Sequence, residues 1–129
     1  MGVSVYRTME VSGGRPAVDA SRTTLGVKLR DSPDILMDGH RFVYPKTGGL
    51  SVAPTPSALP TSKRPPALGG TSRHPVWKLD VDLLPPELVL RTVSANHGLI
   101  EPTLPTKAEE FQRQLHKLEP LWVQVQIEL

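Results

Sequence analysis

The chain has 129 residues, enough for one domain with a modest core, and its 14 prolines and 10 glycines limit helix so strongly that a helical bundle is excluded. Acidic and basic residues are interspersed around a net charge of +2, with no basic run or stripe, so there is no strong nucleic-acid signal. There is no cysteine, which excludes a disulfide framework and a thiolate metal site and suits a cytosolic working environment.

The opening, Met1-Gly2-Val3-Ser4-Val5-Tyr6-Arg7, lacks the basic and apolar regions of a signal peptide. Tyr6 stands where a myristoylation pattern after Gly2 needs Ser or Thr. No apolar run approaches the length of a membrane span, so no membrane insertion is expected.

The stretch Val3 to Val11 alternates and is rich in β-branched residues, which predicts a strand. Val3, Val5, Arg7, Met9 and Val11 share its apolar row. Arg7 is the exception, and a guanidinium there needs an acidic partner, a phosphate or an open cleft. Ser12-Gly13-Gly14 ends the strand. Ala17, Val18, Ala20 and Leu25 give a weak helical hint that Thr23, Thr24 and Gly26 undercut. Val27 to Arg30 reads as a short extended piece, Pro33-Asp34 as a turn, Ile35-Leu36-Met37 as a buried anchor and Asp38-Gly39 as a second turn.

Arg41-Phe42-Val43-Tyr44-Pro45-Lys46-Thr47-Gly48-Gly49-Leu50-Ser51-Val52 is the stretch around which the chain is organised. Phe42 and Tyr44 alternate with Arg41 and Val43, Pro45 closes the strand, and Gly48-Gly49 makes a tight turn into a second strand. The bare glycine backbone would let a ligand approach, with Ser51 presenting a hydroxyl and Tyr44 a flat ring. An ordinary hairpin is the competing reading.

Residues 53–75 carry six prolines among Ser, Thr, Gly, Lys63, Arg64 and Arg73, which predicts a long, polar, exposed loop acting as a lid or insertion. Strands follow at Val76–Val81, with Trp77, Leu79 and Val81 on one side, and at Leu88–Val93. Asn96-His97-Gly98 forms a corner, and Leu99-Ile100 begins an apolar stub that Pro102 and Pro105 close. Thr106 and Glu109 have capping-box spacing, and Ala108, Phe111, Leu115 and Leu118 follow at helical spacing, so a helix is predicted over 106–118. The final run alternates, with Leu121, Val123, Val125 and Ile127 as the buried row and Trp122, Gln124, Gln126 and Glu128 as the wet one. Several short strands and one helix predict an α+β or mainly β domain, without the strand–helix alternation of a Rossmann-type sheet. The four histidines have no ligand spacing, so no metal site is expected.

Separated short motifs along the chain resemble one family, the small type VI secretion exported toxins with an ADP-ribosyltransferase-like, diphtheria-toxin-like fold. They are Tyr6-Arg7, Gly26-Val27 through Arg30, Pro33-Asp34-Ile35, Tyr44, Thr47-Gly48-Gly49, Ser51-Val52, Pro85-Pro86-Glu87-Leu88, Arg91, His97, Ile100 and Pro102. Leu50 stands where that pattern has threonine, Arg91 where it has lysine, and the proline-rich loop is longer. The resemblance implies an α+β split β-sandwich over 1–129 that takes NAD as substrate. It implies Ser51, His97 and Glu101 as catalytic groups, Glu101 by position alone. Arg7, Arg30 and Arg91 would meet the pyrophosphate, Tyr44 would pack on nicotinamide, and the backbone at Gly48 and Gly49 would bind its carboxamide. It also implies a cognate immunity protein covering the cleft, export without a signal peptide, and growth arrest in a target-cell cytoplasm. A non-catalytic toxin gripping a partner through the same cleft, and a plain structural domain, are the rival expectations.

Overall fold

The structure, a computed structural model, describes residues 3–126. The reading of Gly2 and the last part of the alternating run, Ile127 and Glu128, therefore lie outside the described residues.

The chain is a small mixed α/β domain, built mostly of short strands in several small sheets with one helix. Strand β1 (Ser4–Thr8) pairs antiparallel with β7 (Val76–Asp80), whose other edge carries β11 (Val123–Gln124). Strands β2 (Val11–Ser12) and β3 (Arg15–Pro16) form a small hairpin across Gly13-Gly14. In a second three-stranded sheet β5 (Phe42–Gly48) lies between β4 (Ile35–Met37) and β10 (Thr106–Lys107). In a third, β9 (His97–Pro102) lies between β6 (Leu50–Val52) and β8 (Leu88–Ser94). Helix α1 spans Ala108–His116. Among the described residues no helix is long and apolar enough to cross a membrane.

A main core joins most of these elements, and a smaller cluster of Ala53, Leu59 and Val76 lies apart from it. Leu25, Ile35, Leu79, Ile100, Phe111 and Trp122 are almost wholly removed from solvent within the main core. Each such side chain contributes about 1.5–3 kcal/mol of burial free energy. Helix α1 sends Ala108, Phe111 and Leu115 into that core, as their spacing requires.

Several expectations are corrected. The central stretch is not a hairpin, because β5 and β6 belong to different sheets and do not pair. Gly48 and Gly49 carry the chain between them at φ 142° and 159°, where a side chain is strained. A Cβ at Gly48 would lie 2.0 Å from the Asp34 carbonyl oxygen, and one at Gly49 would lie 2.4 Å from that of Ile100. The chain's own backbone, not a ligand, makes the close approach there.

Pro45 does not end its strand either. Between the pairs Ile35↔Gly48 and Met37↔Val43, β5 is longer than β4, so it bulges. Pro45 and Lys46, the latter at φ 67°, sit in that bulge, where a missing ladder donor costs nothing.

The capping box does not form. Thr106 is extended in β10, its hydroxyl donates to the Leu104 carbonyl, and Glu109 pairs with Arg41 at 2.6 Å. The phase of the last strand is inverted: Trp122 is 1% exposed and Val123 is 63% exposed. A three-residue helical turn at Glu119–Leu121 precedes it, and the larger indole takes the core position. Residues 53–75 are also more than an exposed loop. Short helical turns at Pro56–Ala58 and Pro66–Leu68 shape the segment, and Ala53, Leu59 and Ser72 are buried.

Candidate functional site

Register explains the local geometry. On the β6–β9–β8 sheet, Leu99 stands opposite Ser51 on one side and Arg91 on the other. His97 and Glu101 flank Leu99 by two residues each way, so all five side chains project from one face. Two polar pairs result, one on each side of Leu99. Ser51 Oγ lies 2.6 Å from His97 Nε2, and Arg91 Nε donates to Glu101 Oε2 at 2.9 Å.

The Ser51–His97 pair opens onto a cleft of about 490 Å³. Strands β1 and β6 form its floor through Arg7, Thr8 and Val52. The proline-rich segment forms a wall through Leu59, Pro60 and Lys63, while Asn96 comes from the β8–β9 turn. Arg22 and Asp34 close the remaining side, joined by an ion pair of 2.9 Å.

Arg7 is the buried centre of this cleft. Its Nε and one terminal nitrogen donate to the Thr24 carbonyl at 3.2 and 2.8 Å. The same terminal nitrogen reaches the Arg22 carbonyl at 3.2 Å, and the other reaches the Ser51 carbonyl at 2.8 Å. Four of its five N–H groups are thus engaged by main-chain oxygens, and among the described residues no carboxylate pairs with it. Burial pulls its pKa down to about 10, well below the usual arginine range, partly offset by the Asp34 charge. Desolvation and the charges of Arg7 and Arg22 also lower the Lys63 ammonium below the usual lysine range. Among the described residues three cations line the cleft against one carboxylate, Asp34, which Arg22 and the Lys28 amide already hold.

The structure brings Arg7, Ser51 and His97 together at the cleft and places the other expected residues elsewhere. Glu101 is 3% exposed and occupied by Arg91 and by the Lys46 amide at 3.1 Å, so neither member of that pair lines the cleft. Arg30 is exposed outside it. The Tyr44 hydroxyl donates to Asp38, holding the Asp38 carboxyl below its ordinary value and raising the tyrosine. Gly48 and Gly49 are filled by backbone, as described above. Among the described residues no Phe, Tyr or Trp lines the cleft.

Thr8, Arg22, Asp34, Lys63 and Asn96 are the polar cleft residues to which sequence reasoning assigned no site role. Leu59, an apolar side chain amid the proline-rich segment, was the available signal that this segment packs against the domain. Among the described residues no cluster of His, Cys, Asp or Glu is arranged to hold a metal ion. No protein-family model and no curated protein matches the chain.

Proposed function

We propose that the chain is a cytotoxic effector of the ADP-ribosyltransferase-like kind, a split β-sandwich whose cleft takes NAD and cleaves its nicotinamide–ribose bond. One observation carries this reading: a buried guanidinium without a carboxylate partner lies in a cationic cleft beside the hydrogen-bonded pair Ser51–His97. Excess positive charge in a partly desolvated cleft favours an anionic ligand, and a pyrophosphate supplies two phosphates in one small molecule. The volume of about 490 Å³ falls within the range of small-molecule sites.

In the reaction, the bond between the ribose anomeric carbon and nicotinamide breaks with its electron pair leaving on nicotinamide. An oxocarbenium-like ribose remains, and water or a target nucleophile adds to it. Asp34 is the carboxylate lining the cleft, so it takes the part of facing that cation in place of Glu101. Ser51 and His97 orient the ribose or the amide through their shared hydrogen bond. An immunity protein with an acidic face would cover the cleft.

The absence of Phe, Tyr and Trp from the lining supports a second reading, a non-catalytic toxin that grips an acidic partner there. Expression in a bacterial cytosol separates the readings. Arrested growth, falling dinucleotide levels and transferred labelled ADP-ribose are expected, with all three lost in Ser51→Ala and His97→Ala at nearly unchanged melting temperature. Arrested growth with constant dinucleotide favours the grip, and normal growth with abundant soluble protein overturns both readings.

A further inference from the structure

A second cavity, of about 390 Å³, lies beside the main cleft and shares Thr8 and Lys63 with it. The Thr8 hydroxyl donates to the Lys63 carbonyl, so a single hydrogen-bonded contact forms the partition. Lys63, Arg73 and His74 line this cavity together with the hydroxyls of Thr23, Ser62 and Thr71, and among the described residues no carboxylate lines it. Glu10, nearby, accepts from the Thr23 hydroxyl. Among the described residues no ion pair engages Lys63, Arg73 or His74.

The segment bearing these groups is tied down. Thr71 N donates to the Thr61 carbonyl at 3.0 Å and Ser72 N to that of Arg64 at 2.9 Å. The Ser72 hydroxyl, on a buried residue, accepts from the His74 amide at 3.2 Å. A Cβ at Gly70 would stand 2.1 Å from the Arg64 carbonyl oxygen, so the loop folds back closely on itself. The backbone carrying these cations and hydroxyls is therefore held in place around an open surface depression, and together they make the donor set that phosphate oxygens take.

We infer that this second cavity is a phosphate site, receiving a phosphate group of a ligand that also reaches the main cleft. Among the described residues no Phe, Tyr or Trp lines either space, so there is no platform on which bases could stack, which favours a small phosphorylated molecule over a nucleic-acid strand. The inference rests on the dinucleotide reading only for the question of which molecule carries the phosphate.

Titration of the full chain with inorganic phosphate, followed by amide chemical shifts, tests it. Shifts are expected at Thr71–His74 at millimolar phosphate. Arg73→Glu, a change at an exposed residue, should weaken that binding by roughly tenfold or more, with the melting temperature unchanged. Repeating the titration with NAD present distinguishes the sources: competition assigns the phosphate to the dinucleotide, and joint binding assigns it to an acceptor. If NAD does not bind, the phosphate shifts still decide the site. No shifts at Thr71–His74, equal affinity in Arg73→Glu, or binding of a single-stranded oligonucleotide without any response to phosphate would each overturn the inference.

Discussion

Arg7 and Arg91 carry the same side chain, and the sequence offers little to tell them apart, yet their surroundings differ in kind. Arg91 is half-buried and meets a carboxylate, so the pair is locally neutral and Glu101 is further satisfied by the Lys46 amide. Arg7 is more deeply buried and meets only carbonyl dipoles. A neutralised arginine closes its corner of the sheet. An arginine held by dipoles keeps its charge, raises the potential of the space before it and draws an anion there. The two environments separate a structural pair from a ligand-attracting centre, even though Ser51 and Arg91 stand opposite the same residue, Leu99.

The largest effect is expected from Arg7→Ala. It strands the carbonyls of Arg22, Thr24 and Ser51 and releases the 22–24 segment from β6, costing roughly 3–5 kcal/mol. Thermal unfolding should move down by more than about 10 °C. A melting temperature equal to that of the parent would mean that Arg7 holds nothing in place, and the contrast with Arg91 would fail.

Glu101→Ala comes next. It leaves Arg91 and the Lys46 amide without their acceptor, for about 2 kcal/mol. Ligand binding in the cleft should persist, because Glu101 does not line it. Retained stability combined with lost binding would reverse the roles assigned here to the two pairs.

These contrasts were legible in the sequence only in part. The alternation in Val3 to Val11 put Arg7 on the same face as Val5 and Met9, and all three are buried. The helix was legible from Phe111 and Leu115, since a 3.6-residue period in a short apolar stripe has few alternative meanings. Gly48-Gly49 misled because a hairpin turn and a crossover between sheets place the same demand on φ. The capping box misled because Thr106 was needed as an edge residue of β10 before it could cap anything. Lys63 was invisible as a site residue because a proline-rich composition describes the backbone and not what that backbone packs against. Glu101 had the right type and position for a catalytic carboxylate, but its register, two residues past Leu99 and diagonal to Arg91 across the β8–β9 pair, is a property of pairing that no single strand reveals.

The smallest expected effect is a proton linkage that distinguishes the two arginine surroundings in solution. In the ligand-free protein, desolvation and the charges of Arg7 and Arg22 lower the Lys63 pKa. A bound anion supplies the missing counter-charge and raises it again. Binding of inorganic pyrophosphate should therefore take up protons. The affinity should be fullest below the lowered Lys63 pKa and should fall as pH rises through it, because the bound state then holds more protons than the free state. Calorimetry in two buffers of different ionisation enthalpy measures this uptake directly. Lys63→Met should abolish the uptake, and Arg91→Met should leave it intact because Arg91 and Glu101 neutralise each other outside the cleft. Proton release on binding, or an uptake that survives Lys63→Met, would place the responding cation elsewhere and remove the electrostatic distinction between the two corners.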